Sequence, residues 1–324
     1  MLQTALTRLL GIDHPIIQAG MGADAGPDLA AAVSGAGALG TLGSVATPPD
    51  RVSLNIRRCR DLTARPFALN LVTFETAPFR DELVELALRE RVSIVTLSFG
   101  DAAPYVGRFK DAGALVLVQV QDYAGAVGAI AGRADAVIVQ GNEAGGHTGY
   151  RGTLSLAAQV IDIAGDTPVV VAGGVANGRG LAAALAMGAA GVVMGTRFKA
   201  TFEFAGTQAQ KDAIVQSDGG DTAADLLLDI PAPFTWPGNV IGRAMRNRFT
   251  AEWRGRDEEL RALVASRPPA AFLQELASDP ATALNWAGEA SGLVDGVLPA
   301  AEVVRRTADT AAALLLRVSR MVSE

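Results

Sequence analysis

"PVVVAGGVANGRGLAAALAMGAAGVVMGTR", residues 168–197, holds two short apolar runs on either side of a helix-like stretch. The runs are "PVVVAGG" (168–174) and "GVVMGTR" (191–197), and between them lies "NGRGLAAALAMGA" (177–189). Neither run alternates apolar with polar residues. Both therefore read as strands buried on two faces, as parallel strands are, and the whole reads as one strand–helix–strand unit. It is not a membrane span, because Asn177 and Arg179 interrupt it and glycine is frequent.

The same unit recurs toward the N-terminus. Apolar runs stand at "HPIIQAG" (14–20), "ALGTLGS" (38–44), "PFALNLV" (66–72), "VSIVTLS" (92–98), "ALVLVQV" (114–120) and "DAVIVQG" (135–141). Amphipathic segments such as "RDELVELALRER" (80–91) separate them. Eight strands with intervening helices predict an α/β fold of the (β/α)8 kind, a TIM barrel. A doubly wound sheet has the same periodicity, but reaching the eighth strand by residue 198 suits barrel closure.

The pattern changes after residue 198. Residues 205–290 read as a small helical insertion, broken at "DIPAPFTWPGN" and "SRPPA", and they hold all three tryptophans. The predicted organisation is a barrel of residues 1–204 and 291–324, with 205–290 as a lid over its mouth. The last apolar helix, within 299–322, either packs back on the barrel or meets a second copy in a homodimer.

Composition narrows the function. The 324 residues are 49% hydrophobic and 19% charged, enough for a large core. A net charge of −6 and 5% aromatic residues argue against nucleic acid, which needs clustered cations or stacking platforms. The single cysteine, Cys59, allows no internal disulfide, and the N-terminus lacks the features of a secretory signal. The expectation is a cytoplasmic protein with no membrane partner and a small-molecule substrate.

The chemistry is expected at the C-terminal ends of the strands. Polar and glycine residues gather there: "QAGMG" after the first strand, Asn70 in the third, Gln119 in the fifth, "QGNEAGGHTG" after the sixth, "AGG" and "GTRF" after the last two. Glycine pairs at two adjacent strand ends allow tight turns. They also let backbone N–H groups approach a phosphate, to which Thr196 adds a hydroxyl and the helix start at Asn177 its free N–H groups. Asn70 and Gln119 are either satisfied buried amides or partners for a heteroaromatic ring such as an isoalloxazine. "GAGALG" (35–40) is no dinucleotide fingerprint, since it leads from a helix into a strand.

His147 is one of two histidines and is flanked by Gly145, Gly146 and Gly149. A metal site needs more ligands, and His14 belongs at the opposite end of the first strand, so no metal is expected. A nucleophile is missing too, because there is no G-x-S-x-G elbow and Cys59 lies in a predicted helix. His147 is left as an acid, base or hydrogen-bond donor beside a bound ligand. Glu143 can orient it or cap the loop.

With these residues in view, the chain resembles the nitronate monooxygenase family, formerly called 2-nitropropane dioxygenases. The motifs that carry this are "HPIIQAGMG" (14–22), "PFALNL" (66–71), "VQGNEAGGHTG" (139–149), "VVVAGGVANGRGLAAALAMGAAGVVMGTRF" (169–198) and "WAGEASGLV" (286–294). The resemblance implies an FMN-dependent barrel that oxidises alkyl nitronates with O2 to a carbonyl compound and nitrite. It implies FMN held by Gly20, Met21, Gly22 and Asn70, with Gln119 and Gln140 near the ring and Gly145 along it. Gly173, Gly174, Gly195 and Thr196 would hold its phosphate, and His147 matches the family's active-site histidine. The same loop also looks like that of NAD(P)H-dependent flavin reductases of quinones and enoyl thioesters. "QAGM" and "KATFEF" depart from the usual monooxygenase pattern at those places.

Overall fold

The computed structural model describes residues 2–268 and 271–321. Its strands are β1 (Ile16–Gln18), β2 (Gly40–Leu42), β3 (Phe67–Val72), β4 (Ile94–Ser98), β5 (Leu115–Val120), β6 (Ala136–Gln140), β7 (Gly146–Thr148), β8 (Val169–Ala172), β9 (Gly191–Met194), β10 (Thr222–Ala224) and β11 (Ile241–Met245). Eight of them pair in the order β1-β9-β8-β6-β5-β4-β3-β2, every neighbour parallel. A further parallel bridge between Ile17 and Leu39 brings the two ends of this sheet together. The result is a nearly closed (β/α)8 barrel. Each of the eight apolar runs contains one barrel strand.

Strand periodicity explains where the site lies. In β3, Phe67, Leu69 and Leu71 pack in the layer under the helices, whereas Ala68 belongs to the barrel interior. Asn70 shares the parity of Ala68 and therefore points inward, one pair of residues nearer the C-terminal end. Gln119 stands to Leu117 in β5, and Gln140 to Ile138 in β6, in the same relation. The interior is thus apolar in its lower layers and turns to amides at the rim.

The N-terminal end of the barrel is plugged. The helix Ala5–Leu10 starts at a Thr4 capping box and ends at Gly11 in the left-handed region. It sends Leu6 and Leu10 into the interior cluster with Leu117 and Val170. Leu6 is fully buried and sits against the start of β9, where a Cβ on Gly191 would stand 2.6 Å from its Cδ2.

The last helix, Ala300–Ser319, packs on the helix Gly178–Ala186. A Cβ at Gly178 would lie 2.5 Å from the Thr307 carbonyl oxygen, so glycine sets how closely the two helices approach.

Residues 205–290 contain helices, among them Gln208–Gln216, Arg248–Trp253, Asp257–Ala265 and Ala271–Ser278. They also contain β10 and β11, which the expectation of a helical segment did not include. β11 lies antiparallel between β10 and β7, with Gly242 opposite His147. Its partner β7 is three residues long and sits in a glycine-rich loop, too short to show a period of two. The segment has its own apolar cluster of Leu227, Leu228, Phe249, Leu260, Phe272 and Leu276. Among the described residues no helix is long and apolar enough to cross a membrane.

Candidate active site

A cavity of about 1030 Å³ opens where the C-terminal ends of the barrel strands meet residues 205–290. Gly20, Met21, Gly22, Asn70, Gln119, Gln140, Gly145, His147, Gly173, Gly174, Gly195 and Thr196 all line it. Strand ends from around the barrel are brought to one chamber.

One end of the chamber is built by β8 and β9. Gly173 and Gly174 have φ of +102° and +73°, a conformation that side chains with a Cβ rarely adopt. Two successive residues there turn the backbone into a concave bend suited to an anion. The Thr196 hydroxyl accepts from Gly288 N at 3.0 Å, which leaves its own proton to donate. The helix start at Asn177 differs from expectation. The Asn177 side chain accepts from Arg179 N and Gly180 N, so those groups are capped within the chain rather than free.

Amides line the other walls. Asn70 Nδ2 donates to Ser98 Oγ at 3.1 Å. Gln119 Nε2 and Gln121 Nε2 both donate to Gln140 Oε1, at 3.2 and 3.1 Å. Gln140 Nε2 in turn donates to the His147 carbonyl at 3.0 Å. Gln140 therefore fixes the histidine strand, while the side-chain Oε1 of Gln119 accepts no hydrogen bond among the described residues.

His147 Nε2 lies 2.6 Å from Asp229 Oδ1. Its ring is stacked on Trp236, with centroids 3.5 Å apart and planes 14° from parallel, and Trp286 stands 5.1 Å away. Glu143 is not its partner. The Glu143 carboxylate accepts from Thr153 N and caps the helix Thr153–Ile163. The loop glycines serve three separate ends. Gly146 has φ of +75°. Gly149 packs on Gln121, and a Cβ on Gly145 would stand 2.4 Å from Gly288 N. Part of the glycine demand is thus for docking residues 287–288 against the loop.

Neither of the other reactive residues reaches the cavity. Cys59 is buried in the helix Pro49–Leu62, and burial pushes its thiol up to about 12. His14 precedes β1 at the opposite end of the barrel, and burial lowers its pKa.

The sequence model for nitronate monooxygenase matches residues 3–82 and 72–308. The chain belongs to the nitronate monooxygenase family. A "Probable nitronate monooxygenase" of Staphylococcus saprophyticus is 31% identical over 306 residues, 80% of this chain and 83% of that protein. A higher identity, 44% over 203 residues, joins it to a Rhodococcus jostii protein named (3aS,4S,5R,7aS)-5-hydroxy-7a-methyl-1-oxo-octahydro-1H-indene-4-carboxyl-CoA dehydrogenase. That match covers 62% of this chain and 56% of the relative. The protein of the same name from Mycobacterium tuberculosis is 40% identical over 70% of this chain and 64% of its own length. The chain thus spans less than two thirds of these two relatives. Among solved structures, FabK from Thermotoga maritima superposes with a TM-score of 0.88 at 30% identity, covering 99% of this chain and 100% of that one. A nitroalkane oxidase from Streptomyces ansochromogenes has a TM-score of 0.81 at 30% identity, covering 97% and 100%.

The family is one of flavin-dependent oxidoreductases. The cavity fits such a cofactor, having a positive-φ glycine bend and a free hydroxyl donor at one end and amide edges on the walls. Asp229, Trp236 and Lys199 also line it; Trp236 belongs to the segment expected to shape the pocket, whereas Asp229 and Lys199 were not singled out from the sequence. Asp229 had a signal, since it is a lone acid in the otherwise apolar "LLLDI" (226–230).

Proposed function

We propose that this chain binds FMN and oxidises nitroalkanes as their nitronates with O2, releasing a carbonyl compound and nitrite. The observation that carries this reading is the His147–Asp229 pair, set in the wall of the flavin-sized cavity. An ionised Asp229 accepts from Nε2–H, which leaves the ring lone pair on Nδ1 and stabilises the imidazolium once a proton arrives. That arrangement suits removal of a proton from a neutral carbon acid, and leaves the resulting nitronate beside an imidazolium whose charge offsets that of Asp229. Trp236 and Trp286 limit how the ring can turn and keep water from it. A bound FMN would supply the electron transfer and the chemistry with O2.

The glycine bend at Gly173 and Gly174, with Gly195 and Thr196, would hold the phosphate. Gly20, Met21, Gly22, Asn70 and Gln119 would face the ring, and Gly145 would lie along it. Gln140 would act on the site through the His147 carbonyl.

A specific observation favours a second reading, oxidoreduction at the α-carbon of a bulky acyl thioester. The cavity lies at the upper end of the roughly 300–1,000 Å³ of ordinary small-molecule sites. It also runs past His147 to Leu273, Leu276 and Leu284, apolar surface that a short nitroalkane would leave bare. The two relatives named as CoA dehydrogenases support it. His147 would serve as the same base there.

Nitrite release from nitroethane under air, compared with dye reduction by a CoA thioester under nitrogen, separates the readings. The first reading expects nitrite in amounts matching nitroethane consumed, and its loss in His147→Ala. Dye reduction by the thioester with no nitrite from nitroethane would replace it with the second.

A further inference from the structure

Lys199 is 3% exposed and lines the cavity wall, one helical turn beyond Thr196 in the short helix Thr196–Lys199. Its Nζ donates to the Trp286 carbonyl at 2.8 Å and to Asn285 Oδ1 at 3.0 Å. The Phe204 ring lies 5.4 Å away on another side. All three neighbours are uncharged. Among the described residues no carboxylate comes within 4.0 Å of Nζ, and Asp24 is the acid whose field reaches it.

This is an expensive place for a cation. A buried ammonium is ordinarily paired, and one without a counter-ion loses its charge or meets an anion that arrives from outside. An ammonium has three N–H groups, of which two are used here. The two bonds fix the head group of a residue that lines a cavity large enough for a flavin. Of the other groups that line the cavity, the Thr196 hydroxyl and the bend at Gly173 and Gly174 are donors without formal charge, and the Glu143 carboxylate stands against Gly174.

We propose that Lys199 is the counter-ion of the cofactor's phosphate monoester, so that the chain selects a phosphorylated flavin over the uncharged nucleoside. This rests on the FMN reading above and adds a residue to it. Burial already pushes the Lys199 pKa down to about 8, and an arriving phosphate would restore its charge. The same contact would link cofactor loading to the substrate side, because Lys199 also holds the backbone of Trp286, whose ring stands beside His147.

The test is flavin binding to the full-length chain stripped of cofactor, followed by quenching of flavin fluorescence. FMN and riboflavin are titrated in turn into the wild type, Lys199→Met and Lys199→Gln. The glutamine keeps a donor for Asn285 or Trp286 without the charge. A charge-assisted hydrogen bond contributes about 1.5–3 kcal/mol, which corresponds to roughly 10- to 150-fold in Kd. Both variants are expected to lose FMN affinity by that factor while riboflavin affinity stays within about twofold. An FMN preference left intact in both variants overturns the assignment, and so does equal weakening toward both flavins, which would make Lys199 a prop for the wall. A wild type that binds riboflavin as tightly as FMN overturns the phosphate cradle itself, and this inference with it.

Discussion

Asp229 Oδ1 lies 2.6 Å from His147 Nε2, although 82 positions separate the two residues in the chain. The contact is made because β11 pairs with β7, putting Gly242 opposite His147, while Asp229 sits at the end of the short helical turn Leu226–Asp229. That turn is held in place from within, since the Asp225 side chain accepts from Leu227 N. The segment after the barrel strands therefore supplies a direct partner of His147.

Asp229→Asn keeps the shape of the contact and removes the carboxylate that sets the tautomer of His147. Turnover of a neutral nitroalkane should fall on the order of 10²-fold or more, as a positioned base and its orienting acid would lead one to expect. A preformed nitronate needs no deprotonation and should be affected much less. Steady-state assays on both substrates check this, and equal losses on the two would contradict it.

Thr196→Val removes the donor left free at the phosphate end and the acceptor used by Gly288 N. The variant should purify depleted of flavin, with affinity reduced roughly 10- to 100-fold by loss of a hydrogen bond to a charged group. Thr196→Ser should restore it. Flavin content by absorbance, with folding followed by circular dichroism, is the readout.

Leu6→Ala empties part of the barrel floor, far from the cavity. A large-to-small change at a fully buried leucine should cost about 2–5 kcal/mol of stability. Flavin affinity should not change. Denaturant unfolding alongside flavin titration separates the two effects.

Lys199 gives the stability a pH dependence with a definite sign. Its folded pKa of about 8 lies below the ordinary 10.5, so the unfolded chain binds more protons between those values. Lys199 thus destabilises the cofactor-free fold fully below pH 8, and the penalty fades as pH rises toward 10.5. The whole is on the order of 3 kcal/mol. Cys59 acts in the opposite sense, because a thiol raised from 9 to about 12 loses stability as pH climbs past 9. The difference between wild type and Lys199→Met cancels the Cys59 contribution. It should shift in favour of the wild type from pH 8 to 10.5, and a flat difference would contradict the placement of the charge.

The barrel was legible because its strands are buried on both faces and end in glycine and amide residues, features that local sequence carries directly. Asn70 and Gln119 could be read for the same reason, as amides where an interior strand would continue in carbon. The histidine's partner could not be. Glu143 is only four residues from His147, but the helix Thr153–Ile163 claims its carboxylate. Asp229 reaches the ring through a pairing between two short strands, a long-range relation that leaves no periodic trace. Lys199 was overlooked for a similar reason, since its neighbours Asn285 and Trp286 come from the far end of the inserted segment.

The His147–Asp229 pair is expected to stand beside a flavin that takes electrons from a nitronate. The most direct test mixes the purified yellow protein anaerobically with propionate 3-nitronate, and separately with NADH or NADPH, following the flavin absorbance by stopped flow. Rapid bleaching by the nitronate, with the nicotinamides slow or silent, is the predicted result. Fast bleaching by NADH or NADPH, with no response to the nitronate, would contradict it and place this chain with the reductases.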